Sequence, residues 1–372
     1  MIHCKEEDER MKNKIVLFTA NTQGGIIQFT IQLYSVLINK GFEVCVYMPD
    51  DVRNSDLSGM EQSLIQYKKE KKVLNNSSYR KIGKWISREK PLFIWYMDNS
   101  TVSQKVGLYV DTNIPQLLTM HDAGNYHPTN NVSIRNRFAN IYNELLSKKF
   151  FKRVNEFLVL SQESYNTFKI NQPKYANKLL VMNLGAHLPK DKESMPPEAE
   201  TLMKKQFYLF FGRIDKYKGI ENLLNAYKKS KCAYPLVIAG SGKLTEKENI
   251  LCKECKNVTL INRYILDGEM KWLIKYSMAV CLPYIEATQS GVIPLAYYYK
   301  KPVLVSNLLG LTQFVDHGRT GYINASAEEW IERFDNYNLN DYKLMENAIA
   351  KYYEKTMDWN KNIEIVIEGM TT

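Results

Sequence analysis

Two cations flank a predicted strand–helix junction in the segment FFGRIDKYKGIENLLNAY, residues 210–227. An apolar run ends at Gly212 and Arg213, and Lys218 and Gly219 precede a helical pattern. Helix N-termini attract anions, arginine offers a planar fork for two phosphate oxygens, and lysine supplies a compact point charge. The segment therefore predicts a phosphate site, and the alternative is two solvated basic residues beside a helix.

A lone acid and a small polar run mark a second junction, YIEATQSGVIPLAYYYKKP, residues 284–302. An apolar strand pattern ends just before Glu286, and a helical pattern follows the polar run. We predict a helix N-terminus over residues 288–292, whose amides face a diphosphate. The alternative is plain capping by Thr288 or Ser290 without a ligand. The polar run comprises Thr288, Gln289, Ser290 and Gly291.

Two weaker candidates lie in the N-terminal half of the chain. Gly24 and Gly25 follow the first strand pattern, where small residues allow either a tight turn or the close approach of a ligand. His121 ends a later strand pattern, so it either contacts a ligand or is a satisfied core histidine.

Strand and helix patterns alternate twice along the chain, first from KIVLFTA (14–20) and again from YLFFGRI (208–214). The charged, proline-rich residues 189–203 between them predict a linker, and the polar tract 51–80 predicts helix and loop. This order predicts an α/β protein with two doubly wound parallel sheets, which bind ligands beyond the carboxyl ends of their strands. The predicted parts are an N-terminal extension (1–11), an N-terminal domain (12–188), a linker (189–205), a C-terminal domain (206–345) and C-terminal helices crossing back to the N-terminal domain (346–372).

Composition limits the class of protein. The 372 residues carry a formal net charge of +10, which suits an anionic partner such as a nucleotide, a nucleic acid or an acidic membrane. No apolar run approaches the ~20 residues of a membrane span, and MIHCKEEDER lacks a signal-peptide core, so we expect a cytoplasmic protein, starting at Met1 or Met11. The lone pair Cys252 and Cys255 lacks the further ligands of a structural zinc site, so no metal is expected.

The junction segments resemble retaining glycosyltransferases of family 4, which have the GT-B fold. Residues 210–227 resemble the family's GRxxxxKG signature, and residues 301–323 resemble its closing glycine-rich motif. LTMHD (118–122) and VIAGSG (237–242) also resemble family segments, and the resemblance covers most of residues 12–365. It implies two Rossmann-like domains that face a central cleft.

The resemblance also implies an activity. The family moves a sugar from a nucleoside diphosphate to a hydroxyl of a saccharide or lipid-linked saccharide, with retention and without a metal or other cofactor. On this basis Arg213 and Lys218 neutralise the departing diphosphate, while Glu286 orients the sugar hydroxyls and His121 contacts the sugar. The Gly24–Gly25 loop and the polar run line the donor site. The resemblance assigns recognition of the nucleotide base to Arg263, Tyr264 and Ile265.

The sequence departs from the family at one point. Family members usually carry a second glutamate for the ribose, expected here near residues 294–296, where Pro294, Leu295 and Ala296 stand. Some bacterial members have a similar A-T-Q-S-G-V run, which identifies a variant of the acidic motif. Ser290, Gln289 or backbone groups then meet the ribose.

Three other functions are compatible with parts of the sequence. A GT-B epimerase or hydrolase would use the same phosphate site but needs an acidic pair, which the sequence does not offer. A basic nucleic-acid-binding protein needs basic and aromatic residues on a sheet face or recognition helix, and neither is evident. A non-catalytic partner subunit would explain the missing glutamate.

Residues 134–153 mix arginine, lysine and phenylalanine along a predicted helix. A helix packed on the N-terminal sheet explains this pattern, and so does a patch that binds an anionic membrane surface. The second interpretation suits an enzyme with a lipid-linked acceptor.

Overall fold

The computed structural model describes residues 13–22, 24–52, 57, 59–69, 76–121, 134–188, 191–203, 205–336 and 338–372. Its contacts divide the chain into two compact units. The first unit holds residues 1–183 and 359–372, and the second holds residues 184–358. The predicted N-terminal extension lies outside the described residues.

The first unit is built on seven parallel strands in the order β3-β2-β1-β4-β5-β6-β7. The central strands are almost wholly buried because helices cover both faces, which explains their continuous apolar sequences. The strands are β1 (Lys14–Phe18), β2 (Glu43–Pro49), β3 (Leu64–Tyr67), β4 (Phe93–Tyr96), β5 (Gln116–Met120), β6 (Glu156–Val159) and β7 (Leu179–Val181). The helices are α1 (Gly25–Asn39), α2 (Ser77–Arg88), α3 (Thr101–Gly107), α4 (Ile134–Phe151) and α5 (Gln162–Asn171).

The second unit has six parallel strands in the order β10-β9-β8-β11-β12-β13. Its strands are β8 (Tyr208–Phe211), β9 (Leu236–Gly240), β10 (Val258–Asn262), β11 (Ala279–Leu282), β12 (Val303–Ser306) and β13 (Gly321–Asn324). Its helices are α6 (Ile220–Lys229), α7 (Glu246–Glu254), α8 (Asp267–Tyr276), α9 (Val292–Tyr298), α10 (Leu309–Thr312), α11 (Ala327–Asp335) and α12 (Leu339–Thr356).

The last helix, α13 (Trp359–Thr371), belongs to the first unit, where Trp359 packs on Phe29 of α1 at 5.8 Å between ring centroids. The sequence placed this change of unit at residue 346. The structure places it after residue 358, because α12 buries Tyr342, Met345 and Ile349 in the core of the second unit.

The predicted linker is also shorter than expected. Its second half forms a 3₁₀ turn, Pro197–Leu202, that buries Ala199 and Leu202 in the core of the second unit. Charged residues surround these two apolar residues in the sequence, so no apolar pattern predicts that this segment is buried.

One strand was predicted as helix or loop. Leu64–Tyr67 lies in the polar tract 51–80, yet it forms β3 and pairs in parallel with β2. Only Tyr67 of this edge strand is buried, so its sequence lacks the apolar run that identifies the central strands. Hydrogen bonding to β2 therefore stabilises β3, whose own sequence has no strong strand pattern.

Candidate functional site

The predicted phosphate segment forms a strand, a tight turn and a helix at the carboxyl edge of the second sheet. The chain leaves β8, makes a 3₁₀ turn over Lys216–Lys218 and enters α6. Gly219 connects the turn to the helix with φ 67°, in the left-handed region that favours glycine. The order of elements predicted for residues 210–227 is therefore confirmed.

Gly219 also brings the two predicted junctions together. A Cβ atom on Gly219 would overlap the carbonyl oxygen of Pro283, just beyond β11. Two residues further on, the amide of Ile285 donates to the carbonyl of Tyr217 at 2.8 Å. Lys218 and Glu286 thus belong to two backbone segments that lie side by side.

We expect Gly219→Ala to lower the free energy of unfolding by about 2–4 kcal/mol. The left-handed backbone costs alanine roughly 1–2 kcal/mol, and the displaced Pro283 carbonyl adds an overpacking cost. The matched control is Gly318→Ala, since Gly318 has φ 77° but no atom within 4 Å of its Cβ position. Urea unfolding of both variants measures the difference, and equal losses would refute the contact with Pro283.

Lys218 is held against aromatic rings. Its Nζ lies 3.6 Å from the ring centroid of Tyr284 and 4.9 Å from that of Tyr217. Burial and the nearby charge of Arg213 lower the pKa of Lys218 to about 8, against an opposing effect of Asp215. Arg213 itself is exposed. Of the two cations predicted to bind phosphate, Arg213 is therefore exposed and Lys218 is partly buried.

The helix predicted over residues 288–292 begins later than expected. The first residue of α9 is Val292, with Gly291 at the capping position. The preceding backbone is already engaged, because Ile285 bonds to Tyr217 and a Cβ on Gly310 would overlap the backbone of Ala287 and Thr288. The amides of residues 289–291 thus lie in a loop.

The side chains of this loop differ in their roles. Glu286 and Thr288 are exposed, and Ser290 is buried, with its Oγ accepting from Val292 N and lying 3.3 Å from the Tyr284 hydroxyl. Gln289 Oε1 is buried and accepts no hydrogen bond from any described residue. An unpaired buried carbonyl is costly, so Gln289 is the better candidate for a polar group of a ligand.

The predicted base-binding loop contains a structural ion pair. Arg263 bonds to Glu198 at 2.7 Å and to the buried Glu269 at 2.7 Å, which raises the pKa of the guanidinium. Glu269 also accepts from Leu266 N and so closes the first turn of α8. Arg263 therefore fixes the loop, while its neighbours in the predicted base site are the exposed Tyr264 and the buried Ile265.

An open depression of about 500 Å³ lies at the same edge of the sheet, where β8 and β9 end. Backbone packs on backbone here, since a Cβ on Gly240 would overlap the Gly212 carbonyl. The amide of Gly242 donates to Asn262 Oδ1 at 3.2 Å, which joins the β9 turn to β10. The depression is lined by Arg213, Ile214, Asp215, Lys216, Ser241, Gly242, Lys243 and Thr245.

The remaining predicted residues lie in the first unit. Gly24 precedes α1 with φ 82°, so a tight turn is enough to require glycine there, and Gly25 is exposed. His121 follows β5, with its Nε2 2.8 Å from the Met97 carbonyl oxygen and its ring edge-to-face with Phe29. This bond agrees with the alternative of a satisfied histidine.

Asp98, which sequence reasoning missed, organises the carboxyl edge of the first sheet. It is 5% exposed and follows β4. Burial favours its neutral form, but hydrogen bonds from Ser100, Ala20 N and Ser103 outweigh that effect and lower the pKa of the carboxyl. Thr19 donates to the same carboxylate at 3.0 Å. The sequence signal for Asp98 is the same as that for Glu286, an acid that closely follows a buried strand.

Within the described ranges, no three His, Cys, Asp or Glu side chains are grouped so that they could hold a metal ion. In the same part of the chain, every helix is too short or too polar to cross a bilayer.

Comparison with known families adds to this geometry. Residues 191–355, which lie within the second unit, match the family model described as Glycosyl transferases group 1. A curated relative, the D-rhamnosyltransferase WbpZ of Pseudomonas aeruginosa, is 26% identical over 195 residues. That match covers 49% of this chain and 49% of WbpZ, so it spans about half of the relative's length.

Solved structures show the same fold. Anabaena Alr3699/HepE, solved in complex with UDP-glucose, superposes with a TM-score of 0.73 over 95% of this chain and 98% of that chain, at 13% identity. A glycosyltransferase from Rickettsia africae gives a TM-score of 0.71 over 96% and 99%, at 17% identity. The prediction of two Rossmann-like domains of the GT-B type is confirmed.

Proposed function

We propose that this protein is a glycosyltransferase that moves a sugar from a nucleoside diphosphate to a hydroxyl of a saccharide or lipid-linked saccharide, in the synthesis of a surface glycan. The observation that carries the proposal is the pair of cations, Arg213 and Lys218, on a turn that lies against the Glu286 segment. The group 1 family match over residues 191–355 and the UDP-glucose complex of HepE support it.

The chemistry follows from where charge develops. The bond between sugar C1 and the diphosphate oxygen breaks, and the acceptor oxygen forms a new bond to C1. Arg213 and Lys218 stabilise the negative charge that grows on the departing diphosphate, as a metal ion does in other transferases. The acceptor proton passes to a phosphate oxygen. Attack on the face that the diphosphate leaves gives retention of configuration.

The other residues take supporting roles in this proposal. Glu286 orients sugar hydroxyls, and Gln289 meets the ribose in place of the absent second glutamate, because Ser290 is already bonded to Val292. The exposed Tyr264 and the backbone of its loop contact the base, while Gly24, Gly25 and His121 remain assigned to the donor and its sugar by resemblance. Arg263 supports the loop through Glu198 and Glu269.

The experiment combines a donor panel with a product analysis. The protein is incubated with UDP-, GDP- and ADP-sugars and with free or lipid-linked saccharide acceptors, and release of nucleoside diphosphate is followed. We expect one donor to react in the presence of acceptor, and NMR of the new anomeric proton to show the donor's configuration. A product whose anomeric configuration is opposite to that of the donor would exclude a retaining mechanism. Release of a free sugar or an epimer would favour the hydrolase or epimerase alternative.

A membrane patch on α4 completes the proposal for a lipid-linked acceptor. Lys148, Lys149 and Lys152 are exposed near the end of the helix, as are Ile141 and Leu145 further back. Neighbouring positions on one helix face can place apolar side chains among acyl chains and lysines at anionic headgroups.

We therefore expect Lys148→Glu/Lys149→Glu/Lys152→Glu to weaken binding to anionic liposomes by at least about 100-fold, since each surface lysine contributes about 1 kcal/mol. The control with the same change of charge is Lys229→Glu/Lys231→Glu/Lys253→Glu, which changes three exposed lysines of the second unit. Flotation at low salt measures both. Absence of wild-type binding, or equal loss in the two variants, would reject the patch.

A further inference from the structure

Tyr284 connects the two halves of the proposed diphosphate site. It follows β11, is 2% exposed, and carries the Lys218 ammonium over its ring at 3.6 Å. Its hydroxyl lies 3.3 Å from Ser290 Oγ in the loop that precedes α9. One side chain thus contacts the cation from the 216–219 turn and the loop that contains Gln289.

The ring of Tyr284 stabilises the charge of the Lys218 ammonium, which a carboxylate does in an ordinary ion pair. Among the described residues, Lys218 belongs to none of the ion pairs with a carboxylate, and Asp215 acts on it only as a nearby charge. The face of an aromatic ring attracts an ammonium ion, and does so more strongly where water is excluded. An ion pair would have to break before Lys218 could receive a diphosphate, whereas a ring below the cation leaves its other side available.

We propose that Tyr284 is a positioning residue that holds the Lys218 ammonium toward the donor diphosphate and couples it to the 289–291 loop through Ser290. This role rests on the proposed function, because it assumes that a diphosphate is the ligand. In the part of the chain that the structure describes, the groups that act on Lys218 are Arg213 and Asp215, just before the turn, and the rings of Tyr217 and Tyr284. Burial and Arg213 favour the neutral amine, while the ring and Asp215 favour the cation.

The test separates the ring from the hydroxyl. Tyr284→Phe keeps the ring and loses the contact with Ser290, and Ser290→Ala loses the same contact together with the hydrogen bond from Val292 N. Pentafluorophenylalanine at position 284 keeps the shape of the phenyl ring, with a somewhat larger volume, but makes its face repel a cation. Tyr284→Leu removes the ring, and the fluorinated variant serves if the leucine variant does not fold.

The first readout is the pKa of Lys218, followed by NMR of labelled lysine side chains and assigned with Lys218→Met. We expect a pKa of about 8 for Lys218 in the wild type. The value should stay close to that in Tyr284→Phe and fall by roughly half to one pH unit with the fluorinated or leucine side chain. An unchanged value in both ring variants would mean that Tyr284 only fills the core.

The second readout is the affinity for UDP, GDP or ADP, whichever binds, between pH 6.5 and 9.5. Binding should weaken as pH rises through the pKa of Lys218, and that decline should begin at lower pH in the ring variants. Affinity at pH 8 should fall about tenfold with leucine and two- to threefold in Tyr284→Phe and Ser290→Ala. Identical pH profiles in all variants would overturn the proposal. If no nucleotide binds the wild type, the proposed function fails, and the NMR comparison still decides whether Tyr284 holds the ammonium.

Discussion

Lys218→Met and Arg213→Ala will each lower the rate of sugar transfer by about 10²- to 10³-fold. Each change removes a positive charge that is placed before the reaction where negative charge develops on the departing diphosphate. Because the ammonium of Lys218 is partly buried, its charge is screened less by water than a surface lysine would be. The measurement is the initial rate of nucleoside diphosphate release at saturating acceptor.

The stability of Lys218→Met distinguishes this effect from misfolding. Burial lowers the pKa of Lys218, so its charged form is less stable in the folded chain than in the unfolded chain. Methionine keeps an unbranched side chain of similar length beside Tyr284 without the charge. We therefore expect an equal or higher Tm together with the lowered rate. The control is Lys229→Met on the exposed face of α6, with wild-type rate. A lysine that only supports the fold would show the reverse, a lower Tm with a preserved rate.

Asp98→Asn will lower the free energy of unfolding at pH 7 by about 3 kcal/mol. The carboxylate accepts hydrogen bonds from Thr19, Ala20 N, Ser100 N and Ser103. A hydrogen bond to a charged group contributes about 1.5–3 kcal/mol, and a buried donor left without an acceptor costs about 1–3 kcal/mol. The amide weakens several such bonds at once and turns an NH₂ group toward donors. Urea unfolding measures the loss.

The pH dependence identifies the carboxylate as the cause. The folded-state pKa of Asp98 is lowered below the unfolded value of about 3.9, so its contribution is fully present above that pH. The contribution is lost as pH falls through the folded pKa, and the gap between wild type and Asp98→Asn should narrow below about pH 4. The exposed Asp111 provides the control, with a loss near 0.5 kcal/mol for Asp111→Asn. A gap that does not change with pH would contradict this account.

Most of the fold could be predicted from the sequence because buried parallel strands have continuous apolar sequences. The predicted segments KIVLFTA (14–20) and YLFFGRI (208–214) each contain a continuous apolar run, and these runs form the central strands β1 and β8. Edge strands lack this signal, since one side is exposed or partly covered, and the polar tract that contains β3 therefore predicts helix and loop. The change of unit at residue 358 depends on which core a helix enters, and a helical pattern does not contain that information.

The candidate site was predictable where its chemistry is local. The turn that carries Arg213 and Lys218 could be inferred because a glycine, two cations and a helix follow one another within ten residues. Contacts between segments that are distant in the sequence could not be inferred. Nothing in the sequence shows that Arg263 meets Glu198 or that Lys218 lies on Tyr284, because each pair comes together only through the folded sheet. The late start of α9 has the same origin, in contacts from Tyr217 and Gly310.

The central claim is that the turn around Arg213 and Lys218 binds a nucleoside diphosphate. Isothermal titration of UDP, GDP and ADP into the wild-type protein and Arg213→Ala tests it directly. The account predicts saturable binding of one nucleotide to the wild type and at least about tenfold weaker binding to the variant, because a charge-assisted phosphate contact is lost. Wild-type protein that binds none of the three, or binding that Arg213→Ala leaves unchanged, would contradict it.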